Sequence, residues 1–244
     1  GFLLSPDGKT VRFRYEAFRK SPAQFSVSDR LLEVDPQGGG SRQLSSPITE
    51  AEGINITEWR NTDSPELNKT ALKLDPSEIS RCLAISPDRE SFLLGTEWRL
   101  ILFDWKGAEK WRILAPGVVV SVNISGNRKV AAAAFGDGTI RWYGMKDGKE
   151  LLAFFPHKDK KKWVLWTTSG YYDSSPGAEE MIGWHVNTGK ESAADFFPLS
   201  KFRKTYYRPE VIALVLETLD EKEAIIRADR DQEEPSSPPV PVPT

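Results

Sequence analysis

The chain has 244 residues, a formal net charge of −2, eight tryptophans and 39% hydrophobic residues, enough for one large all-β domain with a sizeable core. The near-neutral balance gives no general attraction for nucleic acid or anionic lipid. A single cysteine, Cys82, excludes an internal disulfide and a cysteine-rich zinc site, and no apolar run approaches the roughly 18 residues of a membrane helix, so a cytoplasmic address is favoured.

From the N-terminus, Ser5-Pro6-Asp7-Gly8 separates two apolar segments and reads as a turn between strands. Ser86-Pro87-Asp88 and Ser125-Gly126-Asn127 occupy the same context, which implies a unit of about 40 residues. An intervening unit emerges when Lys20-Ser21-Pro22-Ala23-Gln24 is set beside Asp63-Ser64-Pro65-Glu66-Leu67, because the apolar runs 31–34 and 71–74 follow. A further unit begins at the apolar run 163–166 and turns at Ser169-Gly170. Five units result, at about 1–40, 41–78, 79–116, 117–158 and 159–190. They predict an all-β fold, a WD-repeat-like β-propeller of about five visible blades, incomplete as a ring, followed by short C-terminal helices.

The unit 117–158 is the most regular. Residues 118–124, 130–135, 139–143 and 151–155 are short apolar runs, and Gly136-Asp137-Gly138 and Lys146-Asp147-Gly148 supply hairpin turns. The alanines at 131–134 read as a strand between closely packed sheets, where small side chains let backbones approach. After Asn187 the spacing becomes helical. Phe196, Phe197, Phe202, Tyr206 and Tyr207 predict one helix; Val211, Leu214, Val215 and Leu219, with Pro209 in the first turn, predict a second. Residues 221–234 extend it as a charged helix, so 191–234 forms a helical segment, and 235–244, with five prolines, is a Pro-rich linker. Because Gly1 falls inside a strand-like run and the other end is a linker, both ends are expected to continue in a longer protein.

Several of these residues carry a family likeness. Thr96-Glu97-Trp98, the run 136–143, the run 163–168, Gly170-Tyr171-Tyr172-Asp173, Ile182-Gly183-Trp184-His185-Val186-Asn187 and Tyr207-Arg208-Pro209 resemble the C-terminal half of WD-repeat regions in large bacterial proteins that also carry a caspase-like peptidase domain. The resemblance covers most of residues 1–210 and is most specific at the last unit and its junction with the helices. It implies a sensor or docking module with no catalytic centre, attached through a linker like 235–244 to the peptidase. Phe103-Asp104 and Trp142-Tyr143 stand where a Trp-Asp pair is usual, which departs from the side-chain network of eukaryotic WD repeats.

Residues of chemically capable types have plainer readings. Cys82, among apolar neighbours, reads as a small core residue, since a reactive thiol needs exposure and positive charge. The two histidines are too few for most zinc sites; His185 reads as a packing residue on a strand and His157 as a loop residue. Four lysines within 158–162 form a solvated loop, or a site for an acidic partner. The Asp-Gly turns lack the spacing of a calcium loop, Tyr171 to Ser175 has no histidine beside it in sequence to complete a triad, and Gly38-Gly39-Gly40 lacks the Lys-Ser/Thr of a phosphate loop. No cofactor is implied.

Propellers bind on the face bearing the loops between second and third strands and between consecutive blades. That face is expected to carry Phe18, Arg19 and Lys20, Arg60 and Asp63, Trp98 and Arg99, Asp137, and His157 with Lys158 and Lys160. Aromatic and basic groups together suit a protein or peptide partner of acidic character. The leading expectation is a non-catalytic scaffold or sensor that positions or regulates a caspase-like domain. The alternatives are a stand-alone scaffold and, less favoured, a propeller enzyme or small-ligand sensor, for which the first strands offer mainly apolar residues with Ser121 and Asn123.

Overall fold

The computed structural model describes residues 2–16, 21–36, 43–186 and 195–233. Its antiparallel sheets form a WD-repeat-like β-propeller segment that ends in short helices. The first sheet is a meander of β1 (Leu3–Leu4), β2 (Thr10–Arg14), β3 (Pro22–Ser26) and β4 (Leu31–Val34). A small three-stranded sheet follows, of β5 (Ile56–Thr57), β6 (Glu66–Leu67) and β7 (Thr70–Ala71). The third is again a four-stranded meander, β8 (Ser80–Ile85), β9 (Ser91–Thr96), β10 (Arg99–Asp104) and β11 (Glu109–Leu114).

The fourth sheet opens with the four strands expected between 118 and 155: β12 (Val119–Ile124), β13 (Val130–Phe135), β14 (Ile140–Gly144) and β15 (Glu150–Pro156). It then continues. β16 (Trp163–Trp166) pairs with β15, and β17 (Tyr172–Ser174) with β16, giving six strands. The strands expected to found a separate fifth unit therefore extend the fourth, because the outer edge of β15 is open to pairing. Their successor β18 (Gly183–Val186) pairs instead with β19 (Asp195–Pro198). Residues 196–198, expected in a helix, are thus extended, and only a 3-10 turn over 199–202 and one helical turn, α1 (Arg203–Tyr206), follow. α2 (Pro209–Thr218) begins at its proline as expected, and α3 (Glu221–Glu233) is the charged helix. The Pro-rich stretch 235–244 lies outside the described residues.

The repeat is written in the turns after β1, β8 and β12. Asp7, Asp88 and Asn127 each accept, through Oδ1, the backbone N–H two residues on, at 3.0 to 3.1 Å. Ser5 and Ser125 donate their hydroxyls to that same side chain. Each turn closes on a left-handed residue: Gly8 (φ 78°), Arg89 (φ 64°) and Arg128 (φ 61°). Only the first must be glycine on packing grounds, because a Cβ on Gly8 would stand 2.3 Å from Val130 Cγ2.

That near-contact reflects the stacking order. Apolar clusters join the second sheet to the third, the third to the fourth, and the fourth to the first, so the N-terminal sheet sits beyond the fourth rather than beside its successor in sequence. Phe25 stacks on Phe154 with ring centroids 4.0 Å apart, and Trp163 packs against Phe25 at 4.9 Å. Burying each such ring is worth about 1.5–3 kcal/mol. An indole pins each of two interfaces: Trp111 Nε1 donates to Met145 O at 3.0 Å, and Trp142 Nε1 to Gly8 O at 2.7 Å. Between the third and first sheets, the fully buried alanines 131–133 of β13 leave room for both neighbours. Residues 45 and 48 bridge to Leu4 and Ile85, and Asn123 Nδ2 donates to Ser45 O at 2.9 Å, so this connector lies along the first strands of several sheets.

At the third–fourth interface a Cβ on Gly95 would lie 2.6 Å from both Cys82 Sγ and Val119 Cγ1. Gly95→Ala is therefore expected to cost about 1–3 kcal/mol by overpacking. Gly136→Ala, whose Cβ meets nothing closer than 3.6 Å, should be nearly neutral. Thermal unfolding followed by circular dichroism checks this, and equal midpoints for the two variants would contradict the close approach.

Candidate functional site

The loops of one end of the sheets are linked by backbone pairing. Asn61 N donates to Ser80 O, and Ser80 pairs with Thr96, which places the loop of Arg60 and Asp63 beside the turn of Trp98 and Arg99. Ala115 N donates to Trp98 O, and Gly136 N to Val118 O, both at 2.8 Å, carrying the same surface on to the turn of Asp137. There a cavity of about 820 Å³ opens between the first and fourth sheets. Phe2, Phe13, Phe135, Ile140 and Phe155 give it an apolar lining, and Arg14, Glu16, His157, Lys158 and Lys160 stand among its polar walls.

Of the residues expected on this face, Arg60, Trp98, His157, Lys158 and Lys160 are brought to it with side chains at least partly exposed. Trp98 is 49% exposed, and Arg60 lies over the ring of Trp59 at 4.7 Å. Two others are engaged inside the protein. Arg99 reaches Glu78, a wholly buried carboxylate, at 2.9 Å and Asp75 at 2.7 Å, and Arg112 extends the chain of charges from Asp75 to Glu109. Asp137 accepts the Thr139 N–H and hydroxyl and faces Arg141, so it shapes its own turn. Phe18, Arg19 and Lys20 lie outside the described residues, as does the side chain of His185.

The lysine loop is built around an acid. The backbone N–H groups of Lys162 and Lys161 hold the Asp159 carboxyl down to about 2, and its Oδ2 lies 3.1 Å from His157 Nδ1. Its carboxylate shapes the turn, and Lys158 and Lys160 stand on the wall of the cavity. Across from them is Tyr15. Burial pushes its hydroxyl up to about 12, with the Asp159 charge adding to the rise, and the buried oxygen has no hydrogen-bond partner among the described residues. Sequence reasoning passed over Phe13, Arg14 and Tyr15. The only signal for them was the alternation of aromatic and charged residues along β2, which by itself says nothing of a cavity.

Cys82 is buried between the third and fourth sheets, where burial pushes its thiol up to about 12 and its Sγ lies 3.7 Å from Val119 O. It is a core residue held in the thiol form, not a nucleophile. Asn123 spends its amide on Phe2 O, Ser45 O and the Ile124 N–H. At the far side, the motif Tyr171-Tyr172-Asp173 meets the first sheet: Arg30 grips the buried Asp173 at 2.6 and 2.7 Å and donates to Tyr207 Oη at 3.0 Å. These polar groups knit elements together.

No protein-family model matches the sequence, and no curated protein matches it. Among solved structures, the chain is similar to the WD40 repeats of RRP9 (16% identity, TM-score 0.34, 42% of this chain and 40% of that one). It is also similar to U3-55K (14%, 0.35, 52% and 43%) and to BamB from Moraxella catarrhalis (14%, 0.33, 53% and 46%). The chain spans less than half of each of these proteins, and the assignment of fold stands on the strand order and register given above. Among the described residues, no helix is long and apolar enough to cross a membrane.

The two kinds of basic residue separate by stability. Arg99→Ala removes the cation that faces the buried Glu78, leaving its carboxylate the Thr96 hydroxyl at 2.6 Å and the Asp75 N–H at 3.3 Å, and is expected to cost about 2–4 kcal/mol. Lys158→Ala should change stability by less than about 0.5 kcal/mol. Urea unfolding of both variants tests the division, and a Lys158 effect as large as that of Arg99 would erase it.

Proposed function

We propose that this chain is a non-catalytic interaction module, a scaffold or sensor that binds a protein or peptide on the end carrying Arg60, Trp98, His157, Lys158 and Lys160. One observation carries the reading. The loops there surround a cavity of about 820 Å³ with an apolar lining and a basic edge, within the range of roughly 300–1,000 Å³ typical of ligand sites, and rigid sheets hold the loops in place. An exposed tryptophan and arginine on the same end of the sheets are the residue types that most often dominate binding energy at interfaces.

The finer reading is that the module positions or regulates a caspase-like peptidase domain elsewhere in its parent. Its support is the likeness of the last repeat and helix junction to bacterial WD-repeat proteins that carry such a domain, and the Arg30–Asp173–Tyr207 cluster gives those motifs a physical task in fastening the helices to the sheets. A stand-alone scaffold is the second reading. The continuation of the gene decides between them: a His…Cys caspase-like domain following residue 244 is expected, and its absence would leave the stand-alone scaffold.

For the binding face, Trp98→Ala combined with Arg60→Ala is expected to weaken capture of natural partners by about tenfold or more while leaving the unfolding midpoint within a few degrees. Unchanged capture by a folded double variant would remove this end of the sheets from consideration.

A further inference from the structure

Resting on that reading of the face, we infer that the cavity between the first and fourth sheets receives a large apolar side chain of a partner protein, and that acidic residues flanking it in the partner lie over Arg14, Lys158 and Lys160. The ligand class is an extended acidic segment with an aromatic or bulky aliphatic anchor.

Three observations converge on it. The interior is apolar, walled by Phe13, Ile140 and Phe155 among others, so the group that fills it is apolar too. The charges around it are unequal in their commitments. Arg141 offsets the charge of Asp137, which leaves Glu16 and Asp159 as the carboxylates set against the cations of this rim. Arg14, Lys158 and Lys160 form no ion pair among the described residues, so the unspent charge at the mouth is positive and complementary to carboxylates. Finally, the buried Tyr15 hydroxyl has no hydrogen-bond partner among the described residues. A tyrosine hydroxyl is protonated at neutral pH, so it is a donor that an oxygen of the partner can satisfy.

A chain segment, rather than a free small molecule, is favoured because the apolar surface does not stop at the cavity. Val120 on its wall is 62% exposed, and Val118 (41%), Leu114 (77%) and Trp98 (49%) continue along the same end. Backbone bonds from Gly136 to Val118 and from Ala115 to Trp98 hold these positions in one connected strip. An extended segment advances about 3.3 Å per residue with side chains on alternate sides, which suits one anchor in the cavity and another along the strip.

The probe is a fluorescein-labelled pentapeptide with a central tryptophan and two glutamates on each side, titrated against the full chain by fluorescence anisotropy. Saturable binding is expected, weakened about tenfold or more when lysines replace the glutamates or alanine replaces the tryptophan. Tyr15→Phe should weaken it several-fold while leaving the protein at least as stable, since it removes an unsatisfied donor. Lys158→Glu with Lys160→Glu should weaken it further, by a margin that narrows as salt is raised. A merely structural role for Tyr15 would move stability and not affinity.

The inference is overturned if the lysine or alanine peptide binds as well as the probe, or if both sets of variants bind it like the parent. It is equally overturned if indole-3-acetate, a free aromatic carboxylate, binds as tightly as the peptide, which would make the cavity a small-molecule site. If no peptide binds while Trp98→Ala with Arg60→Ala still abolishes capture of natural partners, the ligand class fails and the binding face stands. If that capture too is unaffected, the face itself fails.

Discussion

Phe25 lies flat on Phe154, and the indole of Trp142 reaches the carbonyl of Gly8, so the first sheet is held against the fourth although 134 residues separate the bonded pair. This contact brings Phe13 and Arg14 of β2, with Tyr15 just after it, opposite Ile140 and the loop of His157, and the cavity is the space left between them. The helices depend on it as well. Val211, Ile212, Val215 and Leu216 of α2 enter the same apolar cluster as both sheets, and Lys9 of the first sheet pairs with Glu217. Loosening the first sheet would therefore dissolve the cavity wall and the helix seat together.

The repeat was legible because its turns carry distinctive chemistry. A serine, an acid or amide two positions later and a left-handed residue after that can be read directly from Ser5-Pro6-Asp7-Gly8 and its two counterparts. The alanines of β13 were legible for a similar reason, as turn residues bound them closely on both sides. What could not be read was adjacency. A period of about 40 residues identifies units but not which sheet an outer strand joins, and the apolar run 163–166 suits a new sheet as well as the open edge of β15. The aromatic spacing at 196–207 fits a helix equally poorly and equally well, since Phe196 and Phe197 also suit a strand, and pairing with β18 decided it.

Candidate site residues divided along the same line. Trp98 and Arg60 could be placed from turn positions, which are local. Arg99 could not be told from them, because the carboxylates that claim it, Glu78 and Asp75, precede it by some twenty residues and meet it only through folding. Tyr15 was hidden for the converse reason: what matters about it is that its buried hydroxyl has no partner among the described residues, and no sequence displays that.

The placement of the N-terminal sheet beyond the fourth also constrains how the molecule is made. Phe13 and Phe25 are synthesised more than a hundred residues ahead of the surfaces from Val130 to Trp163 that pack against their sheet. Until then their contacts with Phe154 and Trp163 are unmade, and closing so large a loop is entropically slow. Among these sheets, vectorial synthesis thus completes the local second–third and third–fourth contacts before the long-range joint of the fourth with the first.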